Sequence, residues 1–130
     1  MEKQKLTKEM RLHGKVVVNG LFTSGESFFV YPFKVVYVKE VSCEKVPIRL
    51  LVSVSRRNFK NATDRNTIKR RTKECWRKNL SFLQLTLKKK FIGLDVGLVY
   101  TGKKIETSLV IEDKIKRIIE RLIENNDVDK

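Results

Sequence analysis

Residues 48–79 read IRLLVSVSRRNFKNATDRNTIKRRTKECWRKN and combine the pattern of a strand with that of a helix. The first part, Ile48–Ser55, is rich in Val and Leu and predicts a strand. Asn61 is a good N-cap residue, and Asp64 stands three residues later in the capping-box position, so we expect a helix to begin there. The stretch that decides the fold is thus a strand leading into a long helix.

The predicted helix has two different sides. At about 100° per residue, a narrow apolar stripe gathers around Ile68 and contains Thr72, Cys75 and Asn79. Polar and basic residues cluster on the opposite side: Asn66, Lys69, Arg70, Lys73 and Arg77. Arg65 and Trp76 flank the boundary between the apolar stripe and the polar side. We expect the helix to pack by its apolar edge and to present a row of cations to solvent.

On the N-terminal side of this stretch, Phe28–Tyr31 and Phe33–Val38 are predicted to be extended, with an irregular point at Pro32. Three phenylalanines are predicted core residues: Phe28, Phe29 and Phe33. Val16–Phe22 is ambiguous, because three consecutive valines favour a strand but the run is short.

On the C-terminal side, Phe91–Tyr100 predicts another strand, and Thr107 or Ser108 can cap a last helix. Apolar residues at helical spacing predict the core stripe of that helix: Ile111, Ile115, Ile118, Ile119, Leu122 and Ile123. The element order predicts an α+β fold, a two-layer α/β sandwich. We divide the chain into a basic arm at 1–14, one folded domain at 15–126 and a short tail at 127–130.

The charge of the chain indicates the kind of partner. Its 130 residues include 29 Lys and Arg against 15 Asp and Glu, a net charge of +14, and residues 56–78 alone carry +8. Such a concentration of positive charge in one segment is expected of a protein that binds a polyphosphate. Two alternatives fit less well. A helix face that is only solvated would interleave positive and negative residues, and a helix that binds a membrane surface would have a wide apolar face. No apolar stretch reaches the about 20 residues of a membrane span, and we expect no secretory signal.

Catalytic and metal-binding patterns are weak. His13 is the only histidine, and the candidate acids are scattered: Asp64, Glu74 and Asp95. Cys43 and Cys75 lack a zinc-site spacing, so we expect no protein metal site and a reduced, cytoplasmic setting. The sequence favours a nucleic-acid binder without a catalytic centre of its own. Aromatic residues close to the charges favour RNA over DNA.

The segment Ser55–Arg70 resembles the signature of the bacterial ribonuclease P protein component, in which a basic pair and an alanine precede Arg-Asn-Arg-x-Lys-Arg. Here residues 56–57 are the basic pair, Ala62 is the alanine, and residues 65–70 read RNTIKR. Two further stretches agree in order and spacing: Arg11-Leu12 followed by residues 21–25 (LFTSG), and the strand Val35-Val36-Tyr37. The resemblance runs from about Arg11 to the last helix.

Four positions depart from the family pattern. Thr67 replaces the second Arg of the motif, so one phosphate contact is expected to be missing. Val18 stands where the family often has a cleft phenylalanine, which weakens stacking there. Lys60 replaces a common glycine, and Lys73 replaces a usual Arg, which keeps the charge but not the bidentate fork.

The resemblance implies a four-stranded sheet, a left-handed βαβ crossover and a helical Val16–Phe22. It also implies removal of the 5′ leader of precursor tRNA, in which the catalytic RNA subunit performs Mg²⁺-dependent hydrolysis and the protein assists without needing to oligomerise. The implied RNA-binding residues are Arg56, Arg57, Arg65, Asn66, Lys69, Arg70, Lys73 and Arg77. The implied leader cleft contains Val18, Phe22 and Tyr37, joined by Arg57, although packing in the core is an open alternative for Phe22 and Tyr37.

Three other functions are compatible with parts of the sequence. A structural RNA-binding protein of the ribosomal type would share the basic helix but would not distinguish precursor from mature tRNA. A protein-only nuclease is disfavoured by the single histidine and the absence of an acidic cluster in the sequence. A DNA-binding regulator would be expected to show two close helices of a helix-turn-helix, which the pattern lacks.

Overall fold

The structure is a computed structural model that describes residues 25–41, 48–81, 83–85 and 92–126. The elements, in chain order, are strands β1 (Glu26–Val30), β2 (Phe33–Val41) and β3 (Ile48–Val54), helix α1 (Ala62–Asn79), strand β4 (Ile92–Tyr100) and helix α2 (Ser108–Asn126). The predictions for the arm at 1–14, Val16–Phe22 and the tail at 127–130 lie outside the described residues.

The four strands form one mixed sheet in the order β1-β2-β4-β3. β2 pairs antiparallel with β1 and β4, whereas β3 pairs parallel with β4, so α1 is the crossover between two neighbouring parallel strands. The Tyr31–Pro32 turn, with a cis peptide bond, joins β1 to β2 at the predicted irregular point. The predicted α+β sandwich is confirmed, and the left-handed sense of the crossover stays a prediction.

Both helices cover the same face of the sheet. α1 packs on β3 and on α2, and α2 reaches β1. The strands supply alternate residues to this core because successive side chains of a strand point to opposite faces. The β3 series is Ile48, Leu50, Val52 and Val54, and the β4 series is Leu94, Val96, Leu98 and Tyr100. The predicted stripe of α2 is confirmed, with Ile123 half-buried and its other members buried.

The two helix starts differ in how they are capped. Asn61 is the N-cap of α1 by its extended backbone, but its side chain makes no capping hydrogen bond. Instead, its carbonyl oxygen accepts hydrogen bonds from the N–H groups of Asp64 and Arg65. At α2, the hydroxyl of Thr107, one of the two predicted capping residues, accepts a hydrogen bond from the N–H of Val110 at 3.3 Å.

One aromatic prediction is wrong. Phe29 was expected in the core but is 61% exposed, because it lies on the face of β1 opposite to the buried Phe28. Adjacent strand residues cannot both face the helices, and the sequence of the strand alone does not say which of the two does. Trp76, predicted only to flank the boundary of the helix stripe, is fully buried.

The sheet face away from the helices carries an ion pair and a small apolar cluster. Arg49 of β3 donates from Nε and Nη2 to the two carboxylate oxygens of Asp95 of β4, at 2.8 and 2.9 Å. Val36 is buried beside the partly buried Val38 and Leu51. The bidentate pair joins the two parallel strands on a face where Asp95 is nearly inaccessible.

Candidate nucleic-acid interface

Four basic residues of α1 lie together on one side of the helix: Lys69, Arg70, Lys73 and Arg77. Asn66 and Arg70 are exposed, and Lys69, Lys73 and Arg77 are half-buried. The latter three are four residues apart, so they form one ridge with steps of about 6 Å. The buried side of α1 consists of Ile68, Thr72, Cys75 and Trp76. The predicted division of the helix into an apolar edge and a cationic side is therefore confirmed.

Arg65 holds the start of this helix. Its Nη1 donates to the carbonyl oxygens of Phe59 and Lys60 at 2.8 and 3.0 Å, which fixes the chain just before α1. A guanidinium has five N–H donors, so this contact leaves others available to a phosphate. Thr67, in contrast, uses its hydroxyl to donate to the Thr63 carbonyl at 3.0 Å. Its polar group is thus engaged by its own helix.

The loop before α1, residues 55–61, presents a pair of arginines. The hydroxyl oxygen of Ser55 accepts the N–H groups of Arg57 and Asn58 at 3.1 and 3.3 Å, and both Arg56 and Arg57 are exposed. Asn58 donates through Nδ2 to the carbonyl oxygens of Thr101 and Gly102 at 3.3 and 3.4 Å. These hydrogen bonds hold the segment that carries the arginine pair against the loop after β4.

Two contacts that hold α1 in place were not foreseen from the sequence. Arg71 donates from Nη1 to the Glu106 carbonyl at 2.7 Å and so belongs to the scaffold. Asn79, predicted in the apolar stripe, is half-buried and donates to the Cys75 carbonyl and to Glu112 Oε2. Because Glu106 and Glu112 lie more than thirty residues from their partners on α1, a helical pattern alone gives no signal for these two contacts.

Tyr37 lies at the margin of the core between β1 and α2, with only 5% of its surface exposed. Its hydroxyl donates to Glu26 Oε1 at 3.0 Å and accepts from Asn125 Nδ2 at 3.2 Å. Phe28 packs edge-on against it, and the Arg121 guanidinium lies 4.4 Å above the Phe28 ring. Burial, reinforced by the hydrogen bond to Glu26, raises the pKa of the Tyr37 hydroxyl.

The residues predicted for a leader cleft are only partly observed. Val18 and Phe22 lie outside the described residues. Arg57 follows the end of β3, where Val54 is aligned with Tyr100 and Phe33, whereas Tyr37 is four residues further along β2. Four residues of strand span about 13 Å. Tyr37 and Arg57 therefore do not form one compact cluster.

Metal-dependent catalysis by the protein itself would need donor side chains that converge on one point. Within residues 25–41, 48–81, 83–85 and 92–126, no group of three His, Cys, Asp or Glu side chains is arranged to hold a metal ion. Cys75 is buried as a free thiol whose pKa is raised, mainly by burial. No helix of this part of the chain is long and apolar enough to cross a membrane.

A two-layer sandwich that presents a ridge of cations on its crossover helix defines a class of protein suited to binding a polyanion. The family model of Ribonuclease P matches residues 6–123, so the chain belongs to the ribonuclease P protein family. A ribonuclease P protein component of Porphyromonas gingivalis is 28% identical over 120 residues, which cover 92% of this chain and 88% of that protein.

Solved structures agree with the fold. The ribonuclease P protein of Staphylococcus aureus superposes with a TM-score of 0.68 at 22% identity, covering 87% of this chain and 94% of that one. The protein from Thermotoga maritima superposes with the same TM-score at 23% identity, covering 85% of this chain and 96% of that one. The four-stranded α+β sandwich is thus the fold of this family.

Proposed function

We propose that this chain is the protein subunit of ribonuclease P, which binds the catalytic RNA and the 5′ leader of precursor tRNA during tRNA 5′ maturation. The observation that carries the proposal is the cationic ridge of α1, where Lys69, Lys73 and Arg77 follow one another beside Arg70. This ridge occurs in a chain of the ribonuclease P family. The enzyme is then a ribonucleoprotein whose hydrolysis is carried out by RNA.

In this proposal the protein acts by neutralising phosphate charge. The cations of α1 and the pair at residues 56–57 seat on the RNA backbone and reduce the repulsion between catalytic RNA and substrate. Holding the leader orients the scissile phosphate and lowers the entropy lost on reaching the transition state. Both effects are electrostatic or positional, so they need no general base on the protein.

Tyr37 is proposed as one contact of the leader, together with Val18 and Phe22. Its ring is nearly buried and its hydroxyl is bonded to Glu26 and Asn125, so only a small part of its surface is available for this contact. Tyr37→Ala should weaken binding of leader-bearing precursor more than binding of mature tRNA. Equal losses for both RNAs would show that Tyr37 only supports the fold.

Mg²⁺ is proposed as the cofactor of the RNA subunit. The described residues offer no set of three clustered acidic, His or Cys donors to which it could be assigned. Mg²⁺ supplies charge stabilisation and an activated water in phosphodiester hydrolysis. The part of this protein is to position RNA around that centre, and no step is assigned to a protein-bound ion.

The central experiment measures cleavage of a labelled precursor tRNA at low Mg²⁺ by bacterial ribonuclease P RNA, with and without the full chain. We expect the protein alone to be inert and to stimulate correct 5′ cleavage by the RNA. Binding of RNA without any stimulation would instead favour a structural RNA-binding protein. Cleavage by the protein alone would contradict the assignment of hydrolysis to RNA.

Arg70→Ala tests the interface directly. Removing one phosphate contact should weaken RNA binding and reduce the slope of log K against log salt by about 0.7 to 0.9. Arg117→Ala is the matched control, because Arg117 is also exposed on a helix but pairs with Asp113 on α2 at 3.5 Å. An unchanged slope for Arg70→Ala, or an equal change for both variants, would remove Arg70 from the interface.

A further inference from the structure

Strand β1 forms one edge of the sheet, since among the described strands it pairs only with β2. Its outward-facing surface is accessible: Ser27 is exposed, and the large apolar side chain of Phe29 is 61% exposed. Natural edge strands commonly carry a lysine, a proline or a bulge that discourages pairing with another strand. The sequence of β1, ESFFV, contains neither lysine nor proline, and its register with β2 is continuous. β1 therefore lacks these barriers to further pairing.

The backbone groups on this edge follow from the neighbouring strands. The Thr101 N–H donates to the Pro32 carbonyl, one residue beyond the β2–β4 register, so even-numbered residues of β2 direct their backbone polar groups toward β4. The odd-numbered residues direct theirs toward β1, where they are aligned with even-numbered residues. Ser27 and Phe29 therefore direct their N–H and C=O groups away from β2, toward the open edge.

The open edge is complementary to a second copy of itself. Ser27 and Phe29 are symmetric about Phe28, so two antiparallel β1 strands with Phe28 on the two-fold axis place each Ser27 opposite Phe29 of the second copy. Each such pair exchanges two backbone hydrogen bonds, which gives about four across the interface. Directly opposite side chains share one face of the sheet, so the exposed ring of Phe29 packs beside the small Ser27 side chain. The two four-stranded sheets become continuous.

The distribution of charge favours a second copy of the chain over RNA at this edge. In a chain of net charge +14, residues 16–33 are the longest run without Lys or Arg, and Glu26 is the only charged residue among them. A segment without cations has little attraction for phosphates. Two copies of a strongly basic protein also repel each other least where cations are absent.

We propose that the protein self-associates by antiparallel pairing of β1 with β1 of a second copy, with Phe29 and Ser27 as the facing side chains. The proposal is independent of RNA binding, because it uses no residue of the α1 ridge. A five-residue edge is small beside the about 1,200 to 2,000 Å² buried in stable complexes, so the dimer is weak and forms at high protein concentration.

Salt should strengthen this dimer. The Arg121 guanidinium lies 4.4 Å above the Phe28 ring, so pairing brings this cation of both copies toward the two-fold axis. The remaining positive charge of each copy adds longer-range repulsion, and salt screens both. RNA binding has the opposite salt dependence, because added salt weakens phosphate contacts.

Sedimentation equilibrium of the full chain without RNA tests the proposal, at about 5 to 500 µM protein and about 0.5 M NaCl. Wild type should shift from monomer toward dimer across this range, and less so at about 50 mM NaCl. Phe29→Ser should raise the dissociation constant about fivefold or more, because both facing rings are lost. Leu109→Ser is the matched control: it removes a 78% exposed apolar side chain from the first turn of α2 and should leave association unchanged.

Two double variants test the register. Ser27→Glu with Phe29→Glu places like charges opposite each other on both sides of the axis and should weaken association strongly. Ser27→Lys with Phe29→Glu places opposite charges at the same positions and should associate about tenfold more tightly than the first double variant. Net charge alone predicts the reverse order, because the second double variant is more positive by two.

Three results would overturn the proposal: a wild-type monomer at every concentration, unchanged association of Phe29→Ser, or equal association of the two double variants. Wild-type sedimentation of Phe29→Ser with weakened RNA binding would mean that this edge contacts RNA instead of a second copy. Thermal unfolding of each variant separates these results from loss of the fold. Stimulation of precursor cleavage by wild type tests the subunit assignment separately, so either proposal can fail while the other stands.

Discussion

Thr72 is the residue of α1 whose chemistry fits its surroundings least well. It is fully buried, and its hydroxyl has no hydrogen-bond partner. The indole N–H of Trp76, one turn later, is also buried without a partner. A polar group that loses water without gaining a partner destabilises the folded state by about 1 to 3 kcal/mol. The free energy of unfolding is therefore lower than it would be if these two groups were hydrogen-bonded or apolar.

Replacing Thr72 with Val should raise the free energy of unfolding by about 1 kcal/mol, because Val keeps the shape and removes the unsatisfied hydroxyl. The two residues have similar helix propensities, so the backbone contributes little to the difference. Urea unfolding measures the effect. Thr67→Val is the control: that hydroxyl is bonded and half-exposed, and its removal should change stability by less than about 0.5 kcal/mol. A Thr72→Val protein less stable than wild type would contradict this reasoning.

Tyr37 should make stability depend on alkaline pH. Its pKa is raised in the folded state, chiefly by burial, so at pH values above the ordinary pKa of 10.0 the unfolded chain releases the proton first. The stabilising contribution is complete below about pH 10 and is lost as pH rises through the folded pKa. Burial raises the pKa of Tyr100 too, so the wild-type loss has at least two sources.

Tyr37→Phe should therefore be less stable than wild type at neutral pH by about 1 kcal/mol, because two hydrogen bonds are lost. Between about pH 9 and pH 11 it should lose less stability than wild type does. Urea titrations across this range give the comparison, and Tyr31→Phe, at an exposed tyrosine, should follow the wild-type curve. A Tyr37→Phe curve parallel to wild type would assign the alkaline loss to other groups.

At the scale of the element, α1 has a gap in its cationic side at Thr67. The side chain bonds back to the Thr63 carbonyl and presents no cation where the family motif has an arginine. Thr67→Arg should add one phosphate contact, tightening RNA binding and increasing the salt slope by about 0.7 to 0.9. Thr67→Gln, similar in length but uncharged, is the control. An unchanged slope for Thr67→Arg would place this position away from the RNA.

The elements themselves were largely predictable, and the failures have a common physical origin. Periodicity located the α2 stripe and the cationic side of α1, because both patterns repeat within one segment. Phe29 was misplaced because a strand pattern alone does not say which face of the strand meets the helices, and the full burial of Trp76 was not predicted because it depends on segments outside α1. The same limit explains why Arg71, which bonds to the Glu106 carbonyl, was not recognised as part of the scaffold.

The candidate site was predictable to the extent that charge and motif define it. The basic ridge follows from residues 56–78, whose charge is read directly from the sequence. The contacts among Tyr31, Asn58 and Gly102 were not predicted, since these residues are brought together only by the β1–β2 turn and the parallel pairing of β3 with β4. Surfaces built by loops from distant segments have no local pattern from which to infer them.

At the scale of the whole molecule, a net charge of +14 should make the free protein depend on salt. Crowded like charges destabilise a compact state, and salt screens them over about 10 Å at 0.1 M. Raising NaCl from about 20 mM to about 500 mM should therefore raise the thermal unfolding midpoint. This direction is opposite to that of RNA affinity, which the same salt weakens.

The location of the charge gives this prediction a control. The double variant Lys69→Gln with Arg70→Gln lowers the net charge by two within the cationic side of α1, where repulsion is greatest. It should unfold at a higher temperature than wild type at low salt and respond less to added NaCl. Lys116→Gln with Arg117→Gln removes the same charge from α2, where Arg117 already pairs with Asp113, and should leave the wild-type response nearly unchanged. Equal behaviour of the two double variants would mean that total charge, rather than its concentration on α1, limits the stability of the free protein.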